Sequence, residues 1–141
     1  MSIALAATWE PRGELPRLQA LLPDLLELYE HVAIVLPPSP DKPFYTSLQT
    51  LAAGTAGRLT IHTAVDWSDG RRESLRNALQ ASTRHIQYAD MDRLLRWLET
   101  RPEELLQAAS EICRWDYLLI ERHPAAYATH PQALLQTEAI S

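Results

Sequence analysis

Two kinds of run alternate along the chain. Short runs dominated by apolar and β-branched residues occur at 3–8 (IALAAT), 31–36 (HVAIVL) and 59–65 (LTIHTAV), each bounded by proline, glycine or acidic residues. Their length and flanks predict buried strands. Runs at 85–89 and 116–121 (DYLLIE) predict a fourth and a fifth. Between the strands the apolar positions recur with a helical period. From Glu14 onward Leu15, Leu18, Leu21, Leu22, Leu25, Leu26 and Leu28 share this period, with Pro16 tolerated in the first turn and Pro23 expected to kink or divide the helix. Further helices are expected over 45–53, where Gly54 and Gly57 close the element, and over 71–82, 91–99, 103–114 and 132–138.

Strands alternating with helices of about ten to fifteen residues imply βαβ units. The predicted fold is therefore α/β, a Rossmann-like three-layer sandwich with a mostly parallel sheet covered on both faces, in a single domain over 1–141. Neither an internal repeat nor a low-complexity linker interrupts it. Open sheets of this kind bind ligands beyond the carboxyl ends of the strands, where strand order reverses. The polar and aromatic residues expected there are Thr8 and Trp9, Asp66 and Trp67, and Asp90 and Asp92.

Composition narrows the partners. The chain has 141 residues, 46% hydrophobic and 22% charged, with a formal net charge of −5. That balance suits a globular domain and argues against a general nucleic-acid or anionic-membrane surface, which would need a basic face. Positive charge is concentrated locally at Arg71, Arg72 and Arg76, and every basic residue but Lys42 is arginine. Guanidinium binds phosphate in a bidentate fork, so the cluster suits one phosphate-bearing ligand; its ordinary role would be a solvated helix face paired with Asp69 and Glu73. Cys113 is the single cysteine, which leaves no internal disulfide, and no run approaches the ~20 apolar residues of a membrane span. The N-terminus lacks a basic n-region, and a cytoplasmic protein is expected.

The segment 70–98, GRRESLRNALQASTRHIQYADMDRLLRWL, concentrates the chemistry. A glycine turn leads into an arginine-rich helix, then a strand, then Asp90 and Asp92 at i and i+2. Carboxylates so placed can converge on a hard cation, Mg²⁺ or Mn²⁺, whose natural partner is a diphosphate. In their order and spacing these residues resemble the nucleotide-diphospho-sugar transferases of the GT-A fold, especially family 2-like glycosyltransferases. Gly70, Arg71, Asn77, Ala78 and Leu79 look like the family's glycine-plus-basic turn and small-residue helix, and IQYADMD looks like the strand ending in its Asp-x-Asp motif. The resemblance implies a nucleotide-diphospho-sugar donor and an acceptor of unknown class. It also implies a divalent metal held by Asp90 and Asp92, and donor contacts from Thr8, Trp9, Asp66, Arg71, Arg72 and Asp90. Where the family usually carries an acidic pair with Gly and Ser after the second strand, this chain has Leu36, Pro37, Pro38 and Ser39. The family's acceptor-binding half lies beyond the fifth strand and is expected to be missing here, so no catalytic base is named.

Each candidate also has an ordinary structural role. Asp90 or Asp92 would serve as a helix N-cap, worth ~1 kcal/mol. Trp9 and Trp67 would stack on a base or sugar, or simply pack in the core. Asp66 would take a ribose or base hydroxyl, or form a turn. His123 and His130 lie in the tail and would face the same crevice or none. Two further classes fit the pattern: a non-catalytic Rossmann-like interaction module, and a sugar-phosphate nucleotidyltransferase, which expects a glycine-rich loop after the first strand where TWEPRGELPR supplies one glycine. A strand edge left bare would favour a homodimer.

Overall fold

A computed structural model describes residues 2–114. In chain order they form β1 (Ile3–Thr8), α1 (Leu15–Leu28), β2 (His31–Leu36), α2 (Lys42–Ala53), β3 (Leu59–Thr63), α3 (Gly70–Leu79), β4 (His85–Asp90), α4 (Met91–Thr100) and α5 (Pro102–Ile112). The strand expected at 116–121, the helix at 132–138, and His123 and His130 lie outside the described residues. No described helix is long and apolar enough to cross a membrane.

The four strands form one all-parallel sheet in the order β3-β2-β1-β4, the Rossmann-like α/β sandwich that the alternation predicts. Crossovers between parallel strands are right-handed. From β1 through β2 to β3 the chain moves in one direction, which keeps α1 and α2 on one face. To reach β4 it must travel back past β2 and β1, so α3 lies on the opposite face. Then α4 returns to the first face, packs on α1, and is followed by α5.

Strand alternation gives the two faces different side chains. On the first face Ile3, Leu5, Ala7 and Trp9 of the β1 stretch join Val32, Ile34 and Leu36 of β2 and Leu59 and Ile61 of β3. Leu18, Leu22 and Leu25 of α1, Leu48 of α2, Leu94 and Leu95 of α4, and Leu105 of α5 complete one continuous core. Each fully buried leucine or isoleucine contributes about 1.5–3 kcal/mol, so hydrophobic stabilisation is concentrated here. A polar pair sits within it: Tyr29 donates its hydroxyl hydrogen to Gln87 Oε1 at 2.8 Å, and burial pushes the phenol pKa up, which keeps it a neutral donor. On the second face Ala4, Ala6 and Ala33 meet Ala78 of α3, with Ser74 also buried. Small side chains on both sides let the helix backbone approach the sheet. Toward β3 the same face turns polar, and His31 Nε2 shares a hydrogen bond with Thr60 Oγ1 at 3.1 Å.

Local chemistry accounts for the ends that differ from expectation. Helix α2 begins at Lys42 rather than Tyr45 because Asp41 caps it, its carboxylate accepting the Phe44 N–H at 3.1 Å, and Pro43 fits the first turn. Helix α1 runs through Pro23 without dividing. The amide that proline lacks would have bonded the carbonyl of Gln19, a residue on the exposed side of the helix, where an unbonded carbonyl costs little. Helix α3 stops at Leu79, and Ser82 beyond it adopts a left-handed φ of 58°. Strand β3 stops at Thr63 rather than Val65 because its neighbour runs out of donors. The Ala64 N–H still bonds the Leu36 carbonyl at 2.8 Å, but the next rung would need an N–H at residue 38, which is proline.

Candidate functional site

The same loss of donors opens the carboxyl edge of the sheet. The Trp9 N–H bonds the Val35 carbonyl at 3.1 Å, and the rung after it would need an N–H from residue 37, also proline. Pro37 and Pro38 therefore end the pairing of β2 with both of its neighbours at once. Beyond that line the loops after β1, β2 and β3 part around a cleft of about 660 Å³, a volume in the range of small-molecule sites. Its walls include Thr8, Trp9, Pro37, Ala64, Trp67, Gly70, Arg71, Tyr88, Asp90 and Asp92. Strand order reverses between β1 and β4, and the cleft lies there: Thr8 and Asp90, at the ends of those strands, are register partners.

Asp90 occupies the N-cap position of α4, yet its side chain makes no cap bond. The carboxylate is turned across the sheet instead. Thr8 Oγ1 donates to Asp90 Oδ1 at 3.1 Å, the Tyr88 hydroxyl lies 3.3 Å from the same oxygen, and the Thr8 and Tyr88 hydroxyl oxygens are 2.9 Å apart. Asp90 Oδ2 faces Arg93 Nε at 3.7 Å. The ordinary capping role is thus not what fixes this aspartate. Asp92, in the first turn of α4, is exposed and borders the same cleft.

The opposite wall comes from the start of α3. The close packing of Ala78 and Ser74 on the alanine face brings Gly70 against β1, so near that a Cβ added at Gly70 would sit 3.4 Å from Thr8 Cγ2. Arg71 follows at once, and its guanidinium lies over the Tyr88 ring, 4.8 Å from the centroid. Asp69 precedes the helix without capping it through its side chain, which leaves the first-turn amides without that acceptor. The result is one continuous belt of Gly70, Arg71, Tyr88, Thr8 and Asp90. Trp67 stands at the rim, 68% exposed.

Other sequence candidates are placed differently. Trp9 is 2% exposed and packs edge-on against Phe44, with centroids 5.4 Å apart and rings inclined at 70°. Its odd position in the β1 alternation commits the ring to the core face, and its Nε1 is buried with no hydrogen-bond partner. Asp66 is not part of the cleft wall: its Oδ1 accepts from Ser68 N–H at 2.8 Å and Ser68 Oγ at 2.6 Å, closing the turn into α3. Those two bonds to Ser68 hold its carboxyl pKa below the usual range. Arg72 is likewise outside the wall, because one residue along a helix is a rotation of about 100°. The structure thus gathers Thr8, Arg71, Asp90 and Asp92 at one cleft, where Trp9 borders the floor with its ring turned into the core, and leaves out Asp66 and Arg72.

The charge of this cleft favours a cation. Glu10, Glu14, Asp90 and Asp92 outnumber Arg12 and Arg71, and the Glu14 carboxylate accepts the Arg12 backbone N–H. Among the described residues no group of three or more histidine, cysteine or acidic side chains gathers as a metal cage. The donor set on hand, Asp90 Oδ2 and the Asp92 carboxylate, fits a magnesium-type ion. Such an ion is usually held by one or two carboxylates and completes its shell with water and substrate phosphate.

Tyr88 is the site residue that the sequence reading missed. Its signal was present: two positions before Asp90 on a strand, it had to share that residue's face. Comparison of the chain with protein-family models, with curated proteins and with solved structures gives no match.

Proposed function

We propose that the cleft binds a nucleoside-diphosphate sugar together with a divalent cation, and that the protein serves glycosyl transfer from this donor. The observation that carries the reading is the orientation of Asp90. A carboxylate that could cap α4 is held in the cleft by Thr8 and Tyr88, beside Asp92 and across from Arg71. Acidic and basic walls facing one another suit a ligand whose phosphates bond to arginine on one side and are bridged by a cation on the other. Asp90 and Asp92 would hold the cation. Arg71 and the first amides of α3 would receive phosphate oxygens, an arrangement that helix N-termini favour. Trp67, exposed at the rim, offers the face on which a base or sugar would stack. In the transfer, the bond from the anomeric carbon to the diphosphate oxygen breaks and its electron pair leaves with the diphosphate, while the acceptor hydroxyl oxygen bonds to the anomeric carbon and gives up its proton to solvent. A bound divalent ion supplies Lewis-acid stabilisation of the leaving diphosphate. Arg71 would add fixed positive charge at the same place.

Calorimetric titration of UDP and GDP into the full-length chain, with and without Mn²⁺, tests this. The expected result is weak binding that Mn²⁺ strengthens, with the Mn²⁺-dependent gain lost in Asp92→Ala. Arg71→Ala weakens it about tenfold, the scale of one charge-assisted hydrogen bond, while Arg72→Ala changes it less than about twofold. Failure of the folded wild type to bind either nucleotide would reject the reading and leave the interaction-module alternative in front.

A further inference from the structure

The polar triangle of Thr8, Tyr88 and Asp90 contains a redundancy that follows from counting protons. Three oxygen pairs lie close: Thr8 to Tyr88 at 2.9 Å, Thr8 to Asp90 at 3.1 Å and Tyr88 to Asp90 at 3.3 Å. Thr8 and Tyr88 bring one hydroxyl hydrogen each, so only two of the three contacts can be hydrogen bonds at any moment. The two shortest form a relay, from the Tyr88 hydroxyl to Thr8 Oγ1 and from Thr8 to Asp90 Oδ1. If Thr8 loses its hydroxyl, Tyr88 can donate to Asp90 directly. If Tyr88 loses its own, Thr8 still donates.

Both hydroxyls lie within reach of Oδ1, so either one can donate to it. The other oxygen, Oδ2, faces Arg93 among the described residues, at a distance beyond hydrogen-bond reach and with both side chains nearly half exposed, a pairing of little strength in water. The Tyr88 ring, meanwhile, carries Arg71. One residue therefore touches both walls of the cleft, through its hydroxyl on the acidic side and through its ring on the basic side.

Resting on the donor-site reading, we infer that Thr8 and Tyr88 are positioning residues. Their hydroxyls form a redundant clamp on Asp90 Oδ1 that presents Oδ2 to the divalent cation, and the Tyr88 ring sets Arg71 for the phosphate. The clamp acts on metal-dependent binding, whereas the ring acts on binding with or without metal.

The test is titration of UDP and GDP into the full-length wild type, Thr8→Val, Tyr88→Phe, the double variant and Tyr88→Leu, each with and without Mn²⁺. Circular dichroism and melting curves check the fold of every variant, and Thr8→Ala replaces Thr8→Val if the latter does not fold. Each hydroxyl deletion alone lowers Mn²⁺-dependent affinity by no more than about threefold. The double variant loses about 10–100-fold, the scale of removing an outer-shell partner of a metal ligand, and more than the product of the single effects. Metal-free binding is unchanged in the double variant and falls in Tyr88→Leu. A Thr8→Ser/Tyr88→Phe pair, which keeps one hydroxyl, retains the affinity of Tyr88→Phe alone. Single effects that simply multiply, or equal losses with and without Mn²⁺, overturn the clamp while the donor reading stands. A wild type that binds neither nucleotide with Mn²⁺ removes the donor reading, and the clamp with it, before any variant is compared.

Discussion

The two faces of the sheet are made by the same strands and do different work. In β1 the side chains Ile3 and Leu5 enter a core shared with α1, α2, α4 and α5, while among the described helices Ala4 and Ala6 meet α3. The large-residue face supplies burial and therefore stability. Its alanine counterpart buries little, but it lets α3 come close enough for Gly70 to touch Thr8 and for Arg71 to lie over Tyr88. Alternation with a period of two thus separates holding the fold from placing the cleft. At the carboxyl edge the second face ends in hydroxyls and a carboxylate, whereas the first ends in the buried ring of Trp9.

Substitutions matched across the two faces test this division. Leu5→Ala has the largest expected effect, a loss of about 2–5 kcal/mol in urea unfolding through the cavity left in the core, with nucleotide affinity unchanged in the protein that remains folded. Ala6→Leu, its neighbour on the other face, costs less stability, about 1–3 kcal/mol from overpacking, but lowers nucleotide affinity because it pushes α3 away from the sheet. Equal loss of affinity in the two variants would abolish the distinction. The smallest effect comes from the polar margin of the alanine face. Partial burial, and after it the charges of Arg58 and His62, hold the His31 pKa below its usual value of 6.5. Below that value the unfolded chain takes up a proton that the folded chain refuses, so stability is fully present above it and declines as pH falls through it. Melting temperatures followed from about pH 8 to about pH 5 should fall less steeply in His31→Asn than in the wild type, and an identical slope would show that His31 contributes nothing.

Much of this was legible in the chain. The strand positions, the helical stretches between them and the gathering of Thr8, Asp90 and Asp92 at one edge all follow from periodicity and from the rule for parallel sheets. The extra length expected of β3 was wrong because LTIHTAV is apolar enough to continue, while the limit is set by Pro38, just past the end of the neighbouring strand β2. Of the two outcomes expected at Pro23, a kink or a division of α1, the division does not occur, because the missing amide falls opposite a residue on the exposed side of the helix. Trp9 reads as a cleft aromatic by its position after a strand, yet Phe44 from α2 draws its ring into the core.

By itself the sequence determined the α/β class, the order of its elements and the carboxyl edge as the place where polar side chains collect, because these depend on periods of two and of about 3.6 that a linear pattern records. Only the tertiary structure decided which polar groups meet. That Asp90 turns from its helix to Thr8, that Tyr88 joins it, and that Arg71 rather than Arg72 borders the cleft depend on pairing β4 with β1 and laying α3 over alanines. The contacts of Thr8 with Tyr88 and Asp90 join residues some eighty positions apart, and no local pattern specifies a distance across the sheet.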